Sequence, residues 1–251
     1  MKTTVLTFFF LLFYIIGCYS QQQGNLLKKT NRYFNNQITN EPDSEYHGNW
    51  GGIEVGFNNY LTSSNKINHH FLELLPWHSR SVSINFTEFN INLYKKRMGI
   101  TTGTALEINN YVFKKNFSLS LDTLAHFSYQ LDTVHHFIKN KLSVLYLSVP
   151  ILFEFQFPVG KKDKRIFFSI GGIGGLTIDA YTHQKYTEND VEHKISIRNS
   201  YHLLSYRYGL TFRMGYRFIR VFVNYSLSPL FKSEDAPELY PFSAGIALLI
   251  L

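Results

Sequence analysis

Residues 145–157 read LYLSVPILFEFQF, and their odd positions are all apolar. Ser148, Glu154 and Gln156 lie on the even positions between them. A period of two is the pattern of a β-strand whose two faces meet different surroundings. The stretch exceeds the length of about 5–6 residues that is usual in soluble sheets, and it is long enough to cross a bilayer at a tilt.

The same period recurs from residue 49 onward. It predicts eight strands, at 49–61, 80–94, 98–113, 141–157, 165–181, 204–217, 219–230 and 240–251. The connections after the second, fourth and sixth strands are short, and those after the first, third, fifth and seventh are longer. Transmembrane barrels show this alternation because their periplasmic turns are short and their external loops are long. We therefore expect an all-β fold, an eight-stranded antiparallel up-and-down transmembrane barrel with both chain termini on the periplasmic side.

The two faces of the predicted strands decide which side is outside. One face is uncharged across the central part of each strand, and the other carries Arg, Asp and Glu separated by Gly and Ser. The outer face of a barrel in water would carry Lys and Glu, so we expect the apolar face to meet lipid. A secreted, lipocalin-like binder of an apolar ligand is the alternative, because exchanging inside and outside leaves the period unchanged.

The polar face predicts a lumen filled with ion pairs. Four acids and four arginines fall on it: Glu54, Glu107, Glu154, Asp179, Arg207, Arg213, Arg217 and Arg220. Eight strands enclose an interior just wide enough to be filled by side chains, and buried charges need partners. We expect these residues to have a structural role, and a gated path for ions or small solutes is the alternative.

Two further predictions concern the strands. The second strand changes parity between Phe86 and Phe89, which predicts a β-bulge near Thr87 and Glu88. Aromatic residues near strand ends are expected at the membrane–water interfaces. They are Trp50, Tyr146, Tyr206, Tyr208, Tyr216 and Tyr240.

The N-terminal residues 1–20 have the features of a secretory signal peptide: Lys2, an apolar stretch over residues 5–17, and small residues before Gln21. In the alternative reading, IIGC at 15–18 is a lipobox, which would leave Cys18 lipidated. Cys18 is the only cysteine, so no disulfide is expected. Residues 21–47 are expected to form a flexible polar periplasmic tail, and residues 48–251 the barrel domain.

The last predicted strand is expected to pair with the first and close the barrel. Within it, SAGIALLI at 243–250 fits a pattern of polar, any, Gly, two of any kind, apolar, any, apolar. This pattern resembles the terminal signal read by the barrel-assembly machinery. Its matching positions are Ser243, Gly245, Leu248 and Ile250.

Several stretches resemble the PorT-type outer membrane protein β-barrel domain family of Gram-negative envelopes. They are GNWGGIEVGFNNYL, GITTGTALEINNYVF, LSVPILFEFQFPVGKKDKRIFFSIGGIGGL, YRYGLTFRMGYR and ELYPFSAGIAL, which together cover roughly residues 48–251. The resemblance implies an outer-membrane barrel of about eight strands. It carries over no catalytic or binding residues.

Histidines and serines are candidates for two other kinds of chemistry, metal binding and catalysis. The pairs His69–His70 and His135–His136 could ligate a metal, but adjacent loop histidines lack a fixed geometry, so no metal or cofactor is expected. WHSRS at 77–81 and AHFSYQLD at 125–132 place His near Ser, which leaves a lipid-modifying enzyme as an alternative to the expected absence of enzymatic activity.

The formal charge of +7 is concentrated in turns and loops. Loop lysines are expected to approach the phosphates of lipopolysaccharide. Nucleic acid is not an expected partner outside the cytoplasm, and the barrel is expected to be a monomer in the lipid bilayer.

Overall fold

The computed structural model describes residues 46–62, 72–121, 127–131, 137–159, 164–188, 191–216, 219–232 and 236–248. The predicted signal peptide, residues 21–45 of the predicted tail, Arg217 and Ile250 lie outside the described residues. The strands are β1 (Gly52–Thr62), β2 (Arg80–Tyr94), β3 (Met98–Val112), β4 (Phe117–Leu121), β5 (Phe127–Leu131), β6 (Phe137–Pro158), β7 (Arg165–Glu188), β8 (Val191–Arg198), β9 (Tyr206–Tyr216), β10 (Ile219–Ser226) and β11 (Leu239–Leu248). Within the described ranges, no helix has the length and apolar character needed to cross a membrane.

Eight of the strands close into a ring of antiparallel neighbours. The order around the ring is β1, β2, β3, β6, β7, β9, β10 and β11, and β11 pairs with β1 from Leu248 opposite Ile53 to Leu239 opposite Thr62. β8 is the ninth strand of the sheet and pairs with the end of β7, outside the ring, while β4 and β5 form a separate hairpin. The predicted antiparallel barrel is confirmed. The ninth strand and the hairpin were not predicted.

The ring is staggered. The stagger is measured by following directly paired residues around the ring from Ile53 on β1. Through β2, β3 and β6 the path runs by Ile84, Leu106 and Leu147 and reaches β7 at Leu176. Through β11, β10 and β9 it runs by Leu248, Ile219 and Tyr216 and reaches β7 at Ile166. Leu176 and Ile166 both lie on β7, ten residues apart. Such a stagger tilts the strands of a barrel by roughly 35–45° from its axis.

The two ends of the ring differ. At the short-turn end, β2 and β3 are joined by a two-residue turn at Lys95 and Lys96, both with positive φ, and Arg97 N donates to Tyr94 O at 2.8 Å. Positive φ at both central residues is the type I′ geometry that suits the twist of a hairpin. The opposite end carries the connections from β1 to β2, from β3 to β6, from β7 to β9 and from β10 to β11. We call it the long-loop end.

Most apolar side chains of the ring point away from its axis. Phe153 on β6 is 48% exposed and Ile170 on β7 is 56% exposed, whereas Glu107 and Arg213 are 2% and 3% exposed. The faces therefore lie as predicted, with apolar residues outward and these charged residues inward. A lipocalin-like barrel would require the opposite arrangement.

Two of the β-bulges bear on the predicted lumen residues. The register of β2 against β3 shifts between Asn85 and Thr87, with Phe86 as the extra residue, so the predicted bulge is confirmed. A second bulge lies on β7, where Ile178 is the extra residue between Thr177 and Asp179. It reverses the alternation beyond Ile178 and turns Asp179 outward, opposite Leu145 of β6.

Candidate functional site: the interior of the barrel

The centre of the lumen is crossed by the ion pair of Glu54 on β1 and Arg213 on β9. Arg213 Nη1 donates to Glu54 Oε1, and Arg213 Nη2 donates to Oε2 at 3.3 Å. Asn85 Nδ2 on β2 also donates to Glu54 Oε1, at 2.7 Å. The guanidinium lies 4.2 Å from the ring centre of Trp50. The pair is bidentate, and the guanidinium also stacks on the indole ring, so several contacts hold the two side chains in place.

A second pair lies nearer the long-loop end. Arg207 Nη2 on β9 donates to Glu107 Oε2 on β3 and to Ser148 Oγ at 3.0 Å. Asn109 Nδ2 donates to Glu107 Oε1 at 2.8 Å. The Arg207 guanidinium lies 4.2 Å from the ring centre of Tyr146. Each pair crosses the lumen from β9 to a strand three positions away around the ring.

Among the described residues, neither Glu154 nor Arg220 pairs with an opposite charge, so the predicted network is wrong in this respect. Glu154 accepts hydrogen bonds from Asn49 Nδ2 and Gln156 Nε2, both at 2.6 Å, and from Ser169 Oγ at 2.9 Å. Arg220 Nη1 donates to the carbonyl oxygens of Asn49 at 3.0 Å and Gly51 at 3.2 Å. Amide and hydroxyl donors bind the carboxylate of Glu154, and backbone carbonyls accept from one nitrogen of the Arg220 guanidinium.

Asp179 is also not in the lumen. It faces outward because of the bulge at Ile178, and its carboxylate accepts from Arg198 Nη2 at 2.8 Å. Arg217 lies outside the described residues. The predicted balance of four acids and four arginines therefore reduces to the two pairs of Glu54 with Arg213 and Glu107 with Arg207 in the part of the chain that the structure describes.

Residues 46–51, which we call the inner segment, enter the lumen at the short-turn end instead of extending β1. Trp50 is 2% exposed and packs with Ala105, Leu152 and Ile173. Gly103 makes room for it, since a Cβ at that position would lie 2.7 Å from the indole ring. Gly52, with a φ of 126°, turns the chain from the lumen into the wall.

Glu88 binds the inner segment, and the sequence did not predict it as a lumen residue. Its Oε2 accepts from Trp50 N at 2.8 Å and Gly51 N at 2.7 Å. The bulge at Phe86 brings Glu88 to the inner face, so the break in parity was the signal that could have identified it.

The long-loop end is closed by apolar side chains. We call this cluster the cap: Leu72, Leu74, Tyr111, Phe113, Phe117, Leu142, Val144, Tyr146, Ala180, Tyr201, Leu203, Leu230, Phe231, Ala236 and Leu239. Its members come from strand ends and from the connections after β1, β3, β8 and β10. Phe113 and Phe117 meet edge to face, with ring centres 4.7 Å apart. The sequence did not predict the cap, because its residues are scattered along the chain without a period.

A polar chamber lies between the cap and the central pair. Asn58, Asn109, Arg207, Asn224, Ser226 and Ser243 are among its lining residues, and its volume is about 20 Å³. Both side-chain polar atoms of Asn58 and the Oδ1 of Asn224 are buried without a hydrogen-bond partner among the described residues. A polar cavity of this size accommodates about one water molecule.

The aromatic predictions are partly corrected. Tyr206 and Tyr208 are 55% and 53% exposed on the outward face. Tyr216 and Tyr240 are also on the surface, at least in part. Trp50 and Tyr146 lie inside instead, at 2% and 4% exposure, because each stacks on a lumen arginine.

The predicted assembly-signal residues lie on β11, with Ile250 outside the described part. Ser243 is buried and its Oγ accepts from Asn224 Nδ2 at 3.4 Å, while Leu248 is exposed and pairs with Ile53. Gly245 lies opposite Gly56, and a Cβ on Gly245 would come within 2.2 Å of Val55 O. These contacts place the motif at the seam that closes the barrel.

The histidine and serine candidates are not assembled into a site in the described ranges. Ser79 is fully buried, and its Oγ accepts from Val112 N at 3.0 Å, whereas His78 is exposed. Across the described residues, no three His, Cys, Asp or Glu side chains are grouped so that they could hold a metal ion. The two histidine pairs and the side chains of 125–132 lie outside the described part, so the expected absence of a metal and of catalysis stays a prediction.

One comparison with known proteins is informative. A family model described as outer membrane protein beta-barrel domain matches residues 35–232. No curated protein and no solved structure gives a significant match.

Proposed function

The chain belongs to the outer membrane protein beta-barrel domain family, and from this premise we propose that it is a non-conducting barrel with a structural or interaction role. A protein of this family is integral to the outer membrane. In our proposal the packed interior stabilises the wall, and the long-loop end is the surface that meets other molecules.

The observation that carries this proposal is that the lumen is occupied at both ends. The inner segment fills the short-turn end through Trp50 and its contacts with Arg213 and Glu88. The cap fills the long-loop end, and the ion pairs of Glu54 and Glu107 cross the space between them. A conducting path would require the inner segment and the cap to be displaced together.

Several finer points belong to the same proposal. We propose that residues 1–20 export the chain, that the short turns face the periplasm, and that the barrel-assembly machinery reads the β11 motif. The stretches quoted above support a PorT-type member of the family. A monomer is proposed because the ring closes on itself within one chain. An enzymatic role is not proposed, since His78 and Ser79 do not form a catalytic arrangement.

Conductance in planar bilayers tests the proposal. The full chain, once folded as shown by heat-modified gel mobility, is expected to give no conductance steps. A matched variant lacks residues 21–51 and carries Phe113→Ala, Phe117→Ala and Phe231→Ala. It is expected to conduct, because both fillings are weakened. Steps from the full chain in proportion to the protein added would contradict a sealed lumen.

A further inference from the structure

β6, β7 and β8 continue past the ring as a three-stranded sheet at the long-loop end. The register places Lys141 opposite His183, Lys139 opposite Lys185, and Lys185 opposite Lys194. Residues directly opposite in antiparallel strands share a face. We call this surface the basic face, and its members are Lys139, Lys141, His183, Lys185, Lys194 and Arg198.

The basic face continues the outward, apolar face of the barrel. Thr182 and Gln184, which alternate with His183 along β7, are each 6% exposed and point inward. Lys141 lies four residues beyond the outward-facing Leu145, or about 13 Å along the strand. Long cationic side chains can extend along apolar surface while the charge stays in water. The cations therefore begin where the apolar surface ends.

Positive charge is in excess on this face. Glu192 accepts from Lys185 at 2.5 Å and from Lys194 at 2.9 Å, and Asp179 pairs with Arg198. With His183 neutral, five cations face these two carboxylates in the described residues, which leaves three positive charges uncompensated. The side chains of Lys194 and Arg198 are 62% and 78% exposed, so a ligand can reach them from the solvent.

The electrostatic environment of His183 agrees with this excess. Partial burial, followed by the charges of Lys141, Lys139, Lys194 and Lys185, holds the pKa of His183 below its ordinary value. Four ammonium groups are thus close enough to act on one imidazole. An anion bound among them would relieve their mutual repulsion.

We propose that the basic face binds the phosphate groups of an anionic membrane lipid whose acyl chains lie against Leu145, Leu147 and Ile178. Neighbouring strands are about 4.8 Å apart, so three strands present cations over about 10 Å, the width of a phosphate-bearing headgroup. A soluble anion would not use the adjoining apolar surface. On β9–β11, by contrast, the outward residues at this end include Tyr206, Tyr208 and Tyr240.

This inference goes beyond the proposed function, because it would hold equally for a conducting barrel. It gives the predicted contact with lipopolysaccharide phosphates a location. Conductance does not test it, and lipid binding does not test the sealed lumen.

Native mass spectrometry of the full chain in neutral detergent tests the site. The probes are a lipid with a bisphosphorylated sugar headgroup, phosphatidylcholine and inorganic phosphate. The test variant replaces four lysines of the basic face by Gln (Lys139, Lys141, Lys185 and Lys194). The matched control removes the same charge at the short-turn end (Lys95, Lys96, Arg97 and Lys164 to Gln).

The test variant is expected to bind the phosphorylated lipid at least about tenfold more weakly than the control, and Glu192→Gln is expected to strengthen binding. In NMR, the lipid is expected to raise the pKa of His183. If the test variant and the control lose lipid binding to the same extent, the proposal is overturned, since net charge alone would then account for binding. If inorganic phosphate binds as tightly as the lipid, the proposal that the ligand is a lipid is overturned. Heat-modified mobility verifies that each variant is folded.

Discussion

Arg213 shows how a single residue is stabilised at the centre of the barrel. Its guanidinium is enclosed by Trp50 and Phe222 and neutralised by Glu54. A charge at 3% exposure cannot be solvated by bulk water, so its free energy depends on the carboxylate across the lumen.

Replacing Glu54 by Gln keeps the size of the side chain and removes its charge. We expect the variant to lose about 3 kcal/mol of unfolding free energy, because breaking a buried pair leaves an uncompensated charge. Urea unfolding in lipid vesicles measures the loss. Glu73→Gln, in an exposed pair with Lys114, is the matched control and is expected to change little. Equal losses of unfolding free energy in the two variants would contradict a larger contribution from the buried pair than from the exposed one.

Asp179 shows the limit of reasoning from one residue. Its odd parity relative to Ile178 predicted a place in the lumen, and the bulge one position earlier turned it outward. The bulge at Phe86 was predictable because apolar runs lie on both sides of it. The bulge at Ile178 was not, because β7 beyond it leaves the apolar region and no longer alternates between lipid and lumen.

At the scale of the strand, β11 closes the barrel at a glycine contact. Gly245 lies opposite Gly56 on β1 and opposite Phe222 on β10. A Cβ at Gly245 would come within 2.4 Å of Gly56 Cα as well as 2.2 Å of Val55 O. Side chains are therefore excluded where the two strands approach each other.

We expect Gly245→Ala to destabilise the folded barrel by about 1–3 kcal/mol, because the added methyl group forces the backbones of β1 and β11 apart. The temperature at which heat-modified mobility is lost should fall. Ala244→Val adds volume on the outward face of the same strand and is the matched control, with an expected change within about 0.5 kcal/mol. A Gly245→Ala variant as heat-resistant as the control would show that the seam tolerates the methyl group.

At the scale of the whole molecule, the two tryptophans report which side is inside. Trp50 lies in the lumen on Arg213, and Trp77 is 74% exposed on the outer surface, edge-on to Phe57 with ring centres 5.2 Å apart. The chain contains no other Trp. Fluorescence can therefore follow each side separately.

In vesicles with lipid brominated near the headgroup, the Trp50→Phe variant, which retains Trp77, is expected to be quenched. The Trp77→Phe variant, which retains Trp50, is expected to keep most of its emission, because the barrel wall separates the indole from the lipid. Quenching of both variants to the same extent would contradict a lumenal Trp50.

The sequence alone determined the barrel, most of its strand boundaries and the sides of its wall, because between bulges a period of two records which face each residue occupies. It also supplied Glu54, Glu107, Arg207 and Arg213 as lumen residues. Only the tertiary structure decided which charges pair, that the inner segment enters the lumen, and that loop residues form the cap. These contacts join residues far apart in the chain, and their partners depend on the stagger of the ring and on the bulge at Ile178, which no local pattern encodes.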